Sequence, residues 1–424
     1  MRVLIVNTSE NVGGAAVAAN RLMDALNNNG IKTKMLVRDK ATDNITVAQL
    51  DKSWRQRWNF LWERFVIFCH LRFKRDNLFQ IDIANAGTDI TRTREFREAD
   101  VIHLSWVNQG MLSIGGIKKI LASKKPVVWT MHDLWPASSI CHYARNCHRY
   151  ESRCGNCPLQ PGGGSRNDLS AKVWRRKRQA LGTNSILFVT CSRWLADQAK
   201  KSGLLSGQKV MSIPNPIDTH VFCREDQEKA RIYAGLPADK RLILFVSQRV
   251  TDQRKGMDYF ITAMNKMVEQ HPEMRQNTGI AILGGQAEEL AGKLPLPGHP
   301  LGYGSDEKKI ASLYNSVYMF VLPSLEDNLP NTIMEAMACG VPSVGFRVGG
   351  IPEMIDHKKN GYVANYRDAK DLAAGIHWVL DEADQSALQQ SCLAKVMHNY
   401  SQHAVALNYI EIYNEAMAYK HYRI

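Results

Sequence analysis

The sequence predicts an α/β fold built from two Rossmann-like domains that face each other across a cleft. Its 424 residues suit two domains of roughly 200 residues each. Short apolar runs alternate with helical segments, which is typical of a parallel sheet covered by helices. This alternation restarts after Asn215-Pro216, and we therefore expect a second domain of the same kind.

The first half contains five apolar runs of strand length, most of them ending in polar residues. They read RVLIVNT, KTKMLVRD, ADVIHLSW, PVVWTMHD and SILFVTCS. Open α/β sheets bind ligands at the carboxyl ends of their strands, so these polar ends are candidate site positions. We assign this domain to residues 1–212.

The second half contains four further runs, RLILFVSQ, GIAILGG, VYMFVLPS and VPSVGF. We assign this domain to residues 213–402, with the proline-containing segment 211–222 as the linker. The remaining segment, 403–424, reads as a helix up to Tyr422, which we expect to return to the first domain.

Composition narrows the class of protein. Hydrophobic residues make up 45% and charged residues 22%, as in globular proteins. The chain opens directly on the strand-like MRVLIVN and has no run of about 18 apolar residues, so we expect a cytoplasmic protein. The net charge of +13 favours the binding of phosphate-bearing partners. The alternative is that the charge only keeps the protein soluble. No recognisable nucleic-acid-binding module accompanies this charge, and we expect no nucleic acid partner.

The segment 323–355 carries the most information about function. Asn328 is the expected N-cap of a helix NTIMEAMA, Pro330 suits its first turn, and Gly340 suits its end. Backbone N–H groups at such a helix start can bind a diphosphate, and Glu335 further along could hold the diol of a ribose. The alternative is an ordinary capped helix packed on a sheet.

These residues closely resemble the signature of glycosyltransferase family 4, whose members have the GT-B fold and retain anomeric configuration. The family pattern has a Glu, seven residues and a second Glu; here Asp327 holds the first position and Glu335 the second. The resemblance implies that Asp327 lies at the donor sugar and Glu335 at the ribose. It also assigns the donor loop to Asn328, Leu329, Pro330 and Asn331.

A second segment, FVSQRVTDQRKGMDYF, resembles the part of the family that neutralises the leaving diphosphate. The resemblance implies this role for Arg249 together with Arg254 or Lys255, between which the altered spacing does not decide. Fixed cations stabilise the negative charge that forms on the diphosphate, and we expect no catalytic metal. Gly285, in ILGGQ, would let the backbone approach the nucleotide.

Two positions in the first half resemble acceptor-side elements of the family. Gly14 belongs to a glycine turn that opens a helix, where close approach to a donor phosphate or a simple tight turn both explain the glycines. His132 follows a predicted strand, and the resemblance implies contact with the transferred sugar. A histidine packed in the domain is the alternative.

A cysteine-rich insert spans residues 141–164. Its four cysteines, in the spacing C-x5-C-x6-C-x2-C, could hold a structural zinc ion, although free thiols explain them as well. The pattern also resembles a subgroup of the family linked to bacterial surface polysaccharides. The candidate ligands are Cys141, Cys147, Cys154 and Cys157.

Aromatic and basic residues interleave at helical spacing over 54–75, WRQRWNFLWERFVIFCHLRFKR, and further basic residues follow at 174–178. Such a helix could lie on the inner face of a membrane and guide a lipid-linked acceptor. An amphipathic helix packed on its own domain is the alternative.

Together these observations predict a retaining glycosyltransferase. The expected donor is a nucleoside diphosphate sugar, and the expected acceptor is a glycan, lipid-linked and destined for lipopolysaccharide or capsule. The Asp at 327 and the Gln248-Arg249 pair also suit a non-catalytic nucleotide-sugar-binding or scaffold protein. A phosphorylase of the same architecture would need a cofactor lysine that the sequence does not identify.

Overall fold

A computed structural model describes residues 1–51, 54–182, 184–304 and 306–421 of the chain. The described chain forms two compact units. The first comprises Met1–Pro214 together with the chain from Val405, and the second comprises Asn215–Ala404. Tyr422, at the end of the predicted C-terminal helix, lies outside the described residues.

Within the described residues, the first unit contains a seven-stranded parallel sheet in the order β3-β2-β1-β4-β5-β6-β7. Its strands are β1 Arg2–Ser9, β2 Lys32–Asp39, β3 Val47–Gln49, β4 Val101–Leu104, β5 Val127–Met131, β6 Leu187–Thr190 and β7 Lys209–Ser212. Its helices are α1 Gly14–Asn28, α2 Trp54–His70, α3 Arg94–Glu98, α4 Ile114–Ala122, α5 Leu169–Leu181 and α6 Arg193–Lys200.

The second unit contains, in the described part of the chain, a six-stranded parallel sheet in the order β10-β9-β8-β11-β12-β13. Its strands are β8 Arg241–Arg249, β9 Thr278–Gly285, β10 Gly298–Pro300, β11 Met319–Leu322, β12 Ser343–Phe346 and β13 Gly361–Ala364. Its helices are α7 Gln227–Ala234, α8 Met257–Gln270, α9 Met274–Asn277, α10 Ala287–Ala291, α11 Glu307–Asn315, α12 Asn331–Ala338, α13 Ile351–Met354, α14 Ala369–His377 and α15 Gln385–Asn399. A final helix, α16 Gln402–His421, begins in this unit.

The two parallel sheets confirm the predicted fold class. All nine apolar runs identified in the sequence form strands, and five of those strands, β4, β5, β6, β11 and β12, are buried at every position. Helices cover both faces of such sheets, which is why the strands read as continuous apolar runs rather than as alternating ones. The strands β3, β7, β10 and β13 were not predicted; each has only three or four residues, and none of them is buried at every position.

The last helix contributes to the core of the first unit. Its residues Val405, Tyr409 and Tyr413 are buried among the apolar side chains of β1, β5 and α1. The Tyr409 hydroxyl lies 2.9 Å from Oγ1 of Thr130 on β5, and the Tyr413 hydroxyl lies 2.6 Å from Nδ1 of His103 on β4. The helix therefore completes the core of the first unit rather than lying on its surface.

Each sheet reverses its strand order at one point, between β1 and β4 in the first unit and between β8 and β11 in the second. Loops that leave neighbouring strands at such a point turn to opposite faces and open a crevice at the carboxyl ends, where ligands bind. Among the described residues, no helix is both long enough and apolar enough to span a membrane.

Candidate functional site

Three loops meet at the carboxyl edge of the second sheet, where its strand order reverses. They are 250–256 after β8, 323–330 after β11 and 347–350 after β12. The Leu325 N–H donates to the Arg254 carbonyl at 2.7 Å, and the Gly350 N–H donates to the Asn328 carbonyl at 2.7 Å. Backbone hydrogen bonds therefore join the middle loop to both of its neighbours.

Two glycines allow this close contact. Gly256 has a φ of 71°, and a Cβ there would lie 1.8 Å from the carbonyl oxygen of Pro323. Gly349 has a φ of 56°, and a Cβ there would lie 1.7 Å from the carbonyl oxygen of Asp327. Only glycine combines this backbone conformation with the absence of a side chain.

Lys255 and Asp327 are brought together by these loops. The Lys255 ammonium donates to Oδ2 of Asp327 at 2.7 Å, and the Ser324 hydroxyl donates to the same oxygen at 3.2 Å. The exposed fractions are 26% for the Lys255 side chain and 15% for that of Asp327, so solvent reaches both. Lys255, a candidate cation for the diphosphate, and Asp327, assigned to the sugar, therefore form one ion pair.

The other two predicted cations lie at the same edge. Arg249 is the last residue of β8 and pairs in register with Gly285, the last residue of β9. Arg254 lies in a 3₁₀ turn and donates to both carboxylate oxygens of Asp252, at 3.2 and 2.7 Å. Burial alone would raise the pKa of Asp252, but the hydrogen bonds from Arg254 lower it below its ordinary value.

The helix α12 begins later than the sequence predicted. Its N-cap is Pro330, with a ψ of 117°, and no side chain caps it, so the prediction that Asn328 is the N-cap was wrong. A residue before a proline disfavours the helical conformation, and Pro330 itself is extended, so the helix starts at Asn331. The buried Asn328, Leu329 and Pro330 form the loop before the helix.

The end of α12 agrees with the sequence. Gly340 follows the C-cap residue Cys339 and has a φ of 73°, as expected for a C′ glycine. Its N–H donates to the Met337 carbonyl at 2.9 Å, and the Val341 N–H donates to the Ala336 carbonyl at 2.8 Å. This pair of hydrogen bonds is the Schellman motif.

Glu335 lies one turn along α12 from Asn331 and hence on the same side of the helix. It is 8% exposed, and its Oε2 accepts a hydrogen bond from the Tyr314 hydroxyl at 3.2 Å. Oδ1 of Asn331 accepts from the amide of Asn215 at 3.0 Å. Residues of the linker and of α11 therefore orient the polar side chains of this helix.

His132 follows β5 in the first unit. Its Nε2 lies 3.0 Å from the Ser105 hydroxyl and its Nδ1 lies 3.4 Å from the Cys191 sulfur, so residues after β4 and β6 hold both sides of the ring. Burial lowers the pKa of His132 to about 4. The ring is therefore neutral near pH 7 and can donate one hydrogen bond and accept another.

Gly14 is the first residue of α1, and Gly13 is its N-cap with a φ of 92°. No atom lies within 4 Å of where a Cβ of Gly13 would stand. The backbone conformation, and not a crowded neighbour, is therefore what requires glycine at this turn.

Two family models match this chain. A model of the family described as "Glycosyltransferase Family 4" matches residues 12–221, and a model described as "Glycosyl transferases group 1" matches residues 240–382. The two matches together cover more than four fifths of the chain, one in each unit. The chain belongs to the glycosyltransferases of family 4.

Two relatives show how far this family 4 glycosyltransferase is similar to other proteins. The D-inositol 3-phosphate glycosyltransferase of Thermobispora bispora is 26% identical over 223 residues, so the match spans 50% of this chain and 52% of that relative. An uncharacterized glycosyltransferase of Methanocaldococcus jannaschii is 27% identical over 367 residues, which is 80% of this chain and 91% of that one.

A solved structure extends the likeness to the whole architecture. The structure titled Anabaena Alr3699/HepE in complex with UDP-glucose has a TM-score of 0.63 and 15% sequence identity, and the alignment covers 98% of this chain and all of that one. At this identity the likeness concerns the fold. The family 4 glycosyltransferase therefore has the GT-B fold, with two Rossmann-like domains.

The structure gives no support to the zinc site predicted in the cysteine-rich segment of this glycosyltransferase, and the site stays a prediction. All nine cysteines are free thiols, and the described residues contain no group of three or more Cys, His, Asp or Glu side chains that could hold a metal ion. Burial, and then the neighbouring cysteines, raise the pKa of Cys154 to about 12 and that of Cys157 to about 11. The alternative of protonated, packed thiols fits these residues.

Sequence reasoning missed a buried polar network beside His132. His142 places Nδ1 2.7 Å from Oδ2 of Asp133 and Nε2 2.7 Å from Oδ2 of Asp82, and Asp82 also accepts from Arg64 of α2. Burial opposes the charged ring, but the two carboxylates raise the pKa of His142 to about 10. Because its members are up to about 80 residues apart, local sequence patterns could not reveal it.

The helix α2 has an unusual distribution of side chains. Its buried residues include Glu63 and Arg64, whereas four of its six aromatic residues are exposed. Oε1 of Glu63 accepts from the N–H groups of Ile83 and Ala84, at 2.9 and 2.6 Å, which fixes the helix by its polar side. The exposed apolar residues are Trp54, Trp58, Leu61, Trp62 and Phe65.

Proposed function

We propose that this chain transfers a sugar from a nucleoside diphosphate sugar to a hydroxyl of a lipid-linked glycan, with retention of anomeric configuration, during synthesis of a surface polysaccharide. The observation that carries the proposal is the pairing of Lys255 with Asp327 beside the start of α12. One set of loops then contains a cation for a diphosphate, a carboxylate for a sugar hydroxyl and a helix N-terminus.

Each part of the donor has a matching group at this edge. The diphosphate lies at the N-terminus of α12, where the helix dipole and the charge of Lys255 favour it, with Arg249 and Arg254 adding positive charge. The sugar lies toward Asp327 and the ribose toward Glu335. The UDP-glucose bound to the Anabaena structure of the same fold supports a donor of this class.

The reaction follows from this arrangement. The acceptor oxygen attacks the anomeric carbon on the face from which the diphosphate leaves, so a new carbon–oxygen bond forms as the carbon–phosphate-oxygen bond breaks. The electron pair of the broken bond stays on the diphosphate, which takes up the acceptor proton. Lys255 and the arginines stabilise the negative charge that accumulates there.

The acceptor part of the proposal rests on α2. Exposed basic residues accompany its exposed tryptophans, at Arg55, Arg57, Arg72, Lys74 and Arg75. Aromatic side chains and cations together suit the interface of an anionic membrane. The protein would therefore act as a peripheral enzyme on the cytoplasmic face of the membrane, where a lipid-linked acceptor is presented.

A screen of nucleotide sugars tests the donor. A donor that binds the folded protein raises its melting temperature, and the donor that does so is then assayed for transfer and for the anomeric configuration of the product. We expect Glu335→Gln to lose transfer by about a hundredfold, whereas Glu288→Gln, on the exposed side of α10, retains it. Binding without transfer or donor hydrolysis would instead favour a nucleotide-sugar-binding protein.

A further inference from the structure

The carboxyl ends of β4 and β5 are tied together by two adjacent pairs of residues. Ser105 contacts His132, and the neighbouring Trp106 donates its indole N–H to Oδ2 of Asp133 at 2.9 Å. Oδ1 of Asp133 accepts from the Trp135 N–H at 2.8 Å. The loop after β5 is therefore tied to the loop after β4 at both His132 and Asp133.

His142 is the cation that faces this carboxylate. Both of its ring nitrogens lie 2.7 Å from carboxylate oxygens, one of Asp133 and one of Asp82. Ionised carboxylates only accept hydrogen bonds, so both ring nitrogens must donate and the ring is an imidazolium. The Trp106 ring stacks on it, with 5.9 Å between centroids and 27° between planes.

The segment that carries His142 is held in place by the backbone. The Leu134 N–H donates to the His142 carbonyl at 2.9 Å, and the Asp82 N–H donates to the Ile140 carbonyl at 2.8 Å. Asp82 is in turn fixed by Arg64 of the aromatic helix α2. Charge-assisted hydrogen bonds therefore run without interruption from α2 to the residue beside His132.

We propose that His142 is a positioning residue: by holding Asp133 against Trp106 it sets the orientation of His132 toward the sugar being transferred. This inference rests on the proposed transfer reaction for its effect on turnover. In this proposal His142 acts through Asp133 and not by contact with the substrate. Displacement of a reacting group by about 1 Å costs up to about a hundredfold in rate, so a changed orientation of His132 should be measurable as slower transfer.

The experiment compares His142→Gln with His148→Gln in the full-length protein. His148 is an exposed histidine of the same segment that pairs with Glu151 alone, at 2.9 Å, and serves as the matched control. We expect His142→Gln to lower kcat by about tenfold to a hundredfold and to leave the Kd for the nucleoside diphosphate unchanged, because Lys255 and Glu335, proposed to hold the diphosphate and the ribose, belong to the other unit. His148→Gln should change neither quantity.

A second measurement does not depend on turnover. In protein labelled with ¹⁵N-histidine, the ring signals of His132, identified by their loss in His132→Gln, should shift in His142→Gln and stay in place in His148→Gln. If His142→Gln fails to fold, the double variant Asp82→Asn with His142→Gln removes one buried charge of each sign and keeps the local charge balanced.

The outcomes separate the two proposals. Unchanged His132 signals in His142→Gln, or in the double variant, would overturn the positioning role whatever the activity. A wild-type protein without transferase activity would contradict the proposed function, while the His132 signals would still decide whether His142 sets the orientation of that ring.

Discussion

The Nζ of Lys255 lies 2.7 Å from Oδ2 of Asp327, and Ser324 donates a hydrogen bond to the same carboxylate oxygen. The cation proposed for the diphosphate is therefore already paired with the anion proposed for the sugar. A ligand that carries only the diphosphate must compete with Asp327 for Lys255.

Exchange of Asp327→Asn should separate binding from transfer. Removal of the competing carboxylate leaves Lys255 for the diphosphate, so a nucleoside diphosphate should bind about as tightly as to wild type or up to about tenfold more tightly. Sugar transfer should fall by about a hundredfold, because the contact to the sugar is lost. Calorimetry and a transfer assay measure the two effects.

Lys255→Met should have the opposite effect on binding and weaken the nucleoside diphosphate about tenfold or more. Lys266→Met, on the exposed side of α8, is the control. Weaker nucleotide binding in Asp327→Asn, or none of these changes in Lys255→Met, would contradict the competition between ligand and carboxylate.

Gly256→Ala should destabilise the loops 250–256 and 323–330 more than the positive φ at residue 256 alone would. The matched variant is Gly235→Ala, because Gly235 has a φ of 65° and no atom within 4 Å of a new Cβ, whereas Gly256 faces the Pro323 carbonyl at 1.8 Å. We expect Gly235→Ala to cost about 1 kcal/mol of unfolding free energy and Gly256→Ala about 1–3 kcal/mol more.

Nucleotide binding distinguishes the two glycine variants further. Gly256→Ala moves the loop that carries Lys255 and should weaken the nucleoside diphosphate about tenfold, while Gly235→Ala should bind it normally. Equal losses of stability and of affinity in both variants would mean that the close approach to Pro323 is not needed.

The neutral state of His132 predicts a pH dependence of stability. Burial lowers its pKa from 6.5 to about 4, so between these values the unfolded chain binds a proton that the folded protein does not. The neutral His132 ring therefore contributes fully to the free energy of unfolding above about pH 6.5, and this contribution is lost as the pH falls. Between about pH 7 and about pH 5, the free energy of unfolding of His132→Gln should therefore fall by about 2 kcal/mol less than that of the wild type.

Urea unfolding at several pH values measures this difference. His148→Gln, which removes an exposed histidine, should follow the wild-type curve. Parallel curves for His132→Gln and wild type would show that the ring titrates equally in the folded and unfolded states.

The exposed tryptophans of α2 should mediate binding to anionic lipid. Trp58→Ser and Trp62→Ser each remove an aromatic side chain that is 56% or 42% exposed, so stability should change little. Sedimentation with vesicles that contain anionic phospholipid should show about tenfold weaker binding for each. Tyr233→Ser, 64% exposed on α7, is the control.

Vesicles of neutral phospholipid and added salt complete this test. Binding that needs both the tryptophans and the basic residues should be weaker on neutral vesicles and fall as salt rises. Equal binding of wild type and both tryptophan variants would contradict a membrane-facing role for α2.

Much of the fold followed from local patterns. Strands such as β4 and β11 are buried throughout because helices cover both faces of a parallel sheet, and the mainly apolar residues this requires produce a signal within a few positions. The three-residue strands β3 and β10 lack such a signal. The end of α12 was predictable because Gly340 has a local conformational role; its start was not, because Pro330 ends the extended loop instead of opening the helix.

The sequence by itself determined the fold class, the family resemblance and which residue types stand at the carboxyl ends of the strands, because neighbouring residues carry that information. Only the tertiary structure decided which side chains meet: Lys255 with Asp327, Glu335 with Tyr314, and His142 between Asp82 and Asp133. These partners are 9 to 72 positions apart and are joined by sheet order and loop packing. Hydrogen bonds and buried charges depend on distances in space, which no local pattern of residues specifies.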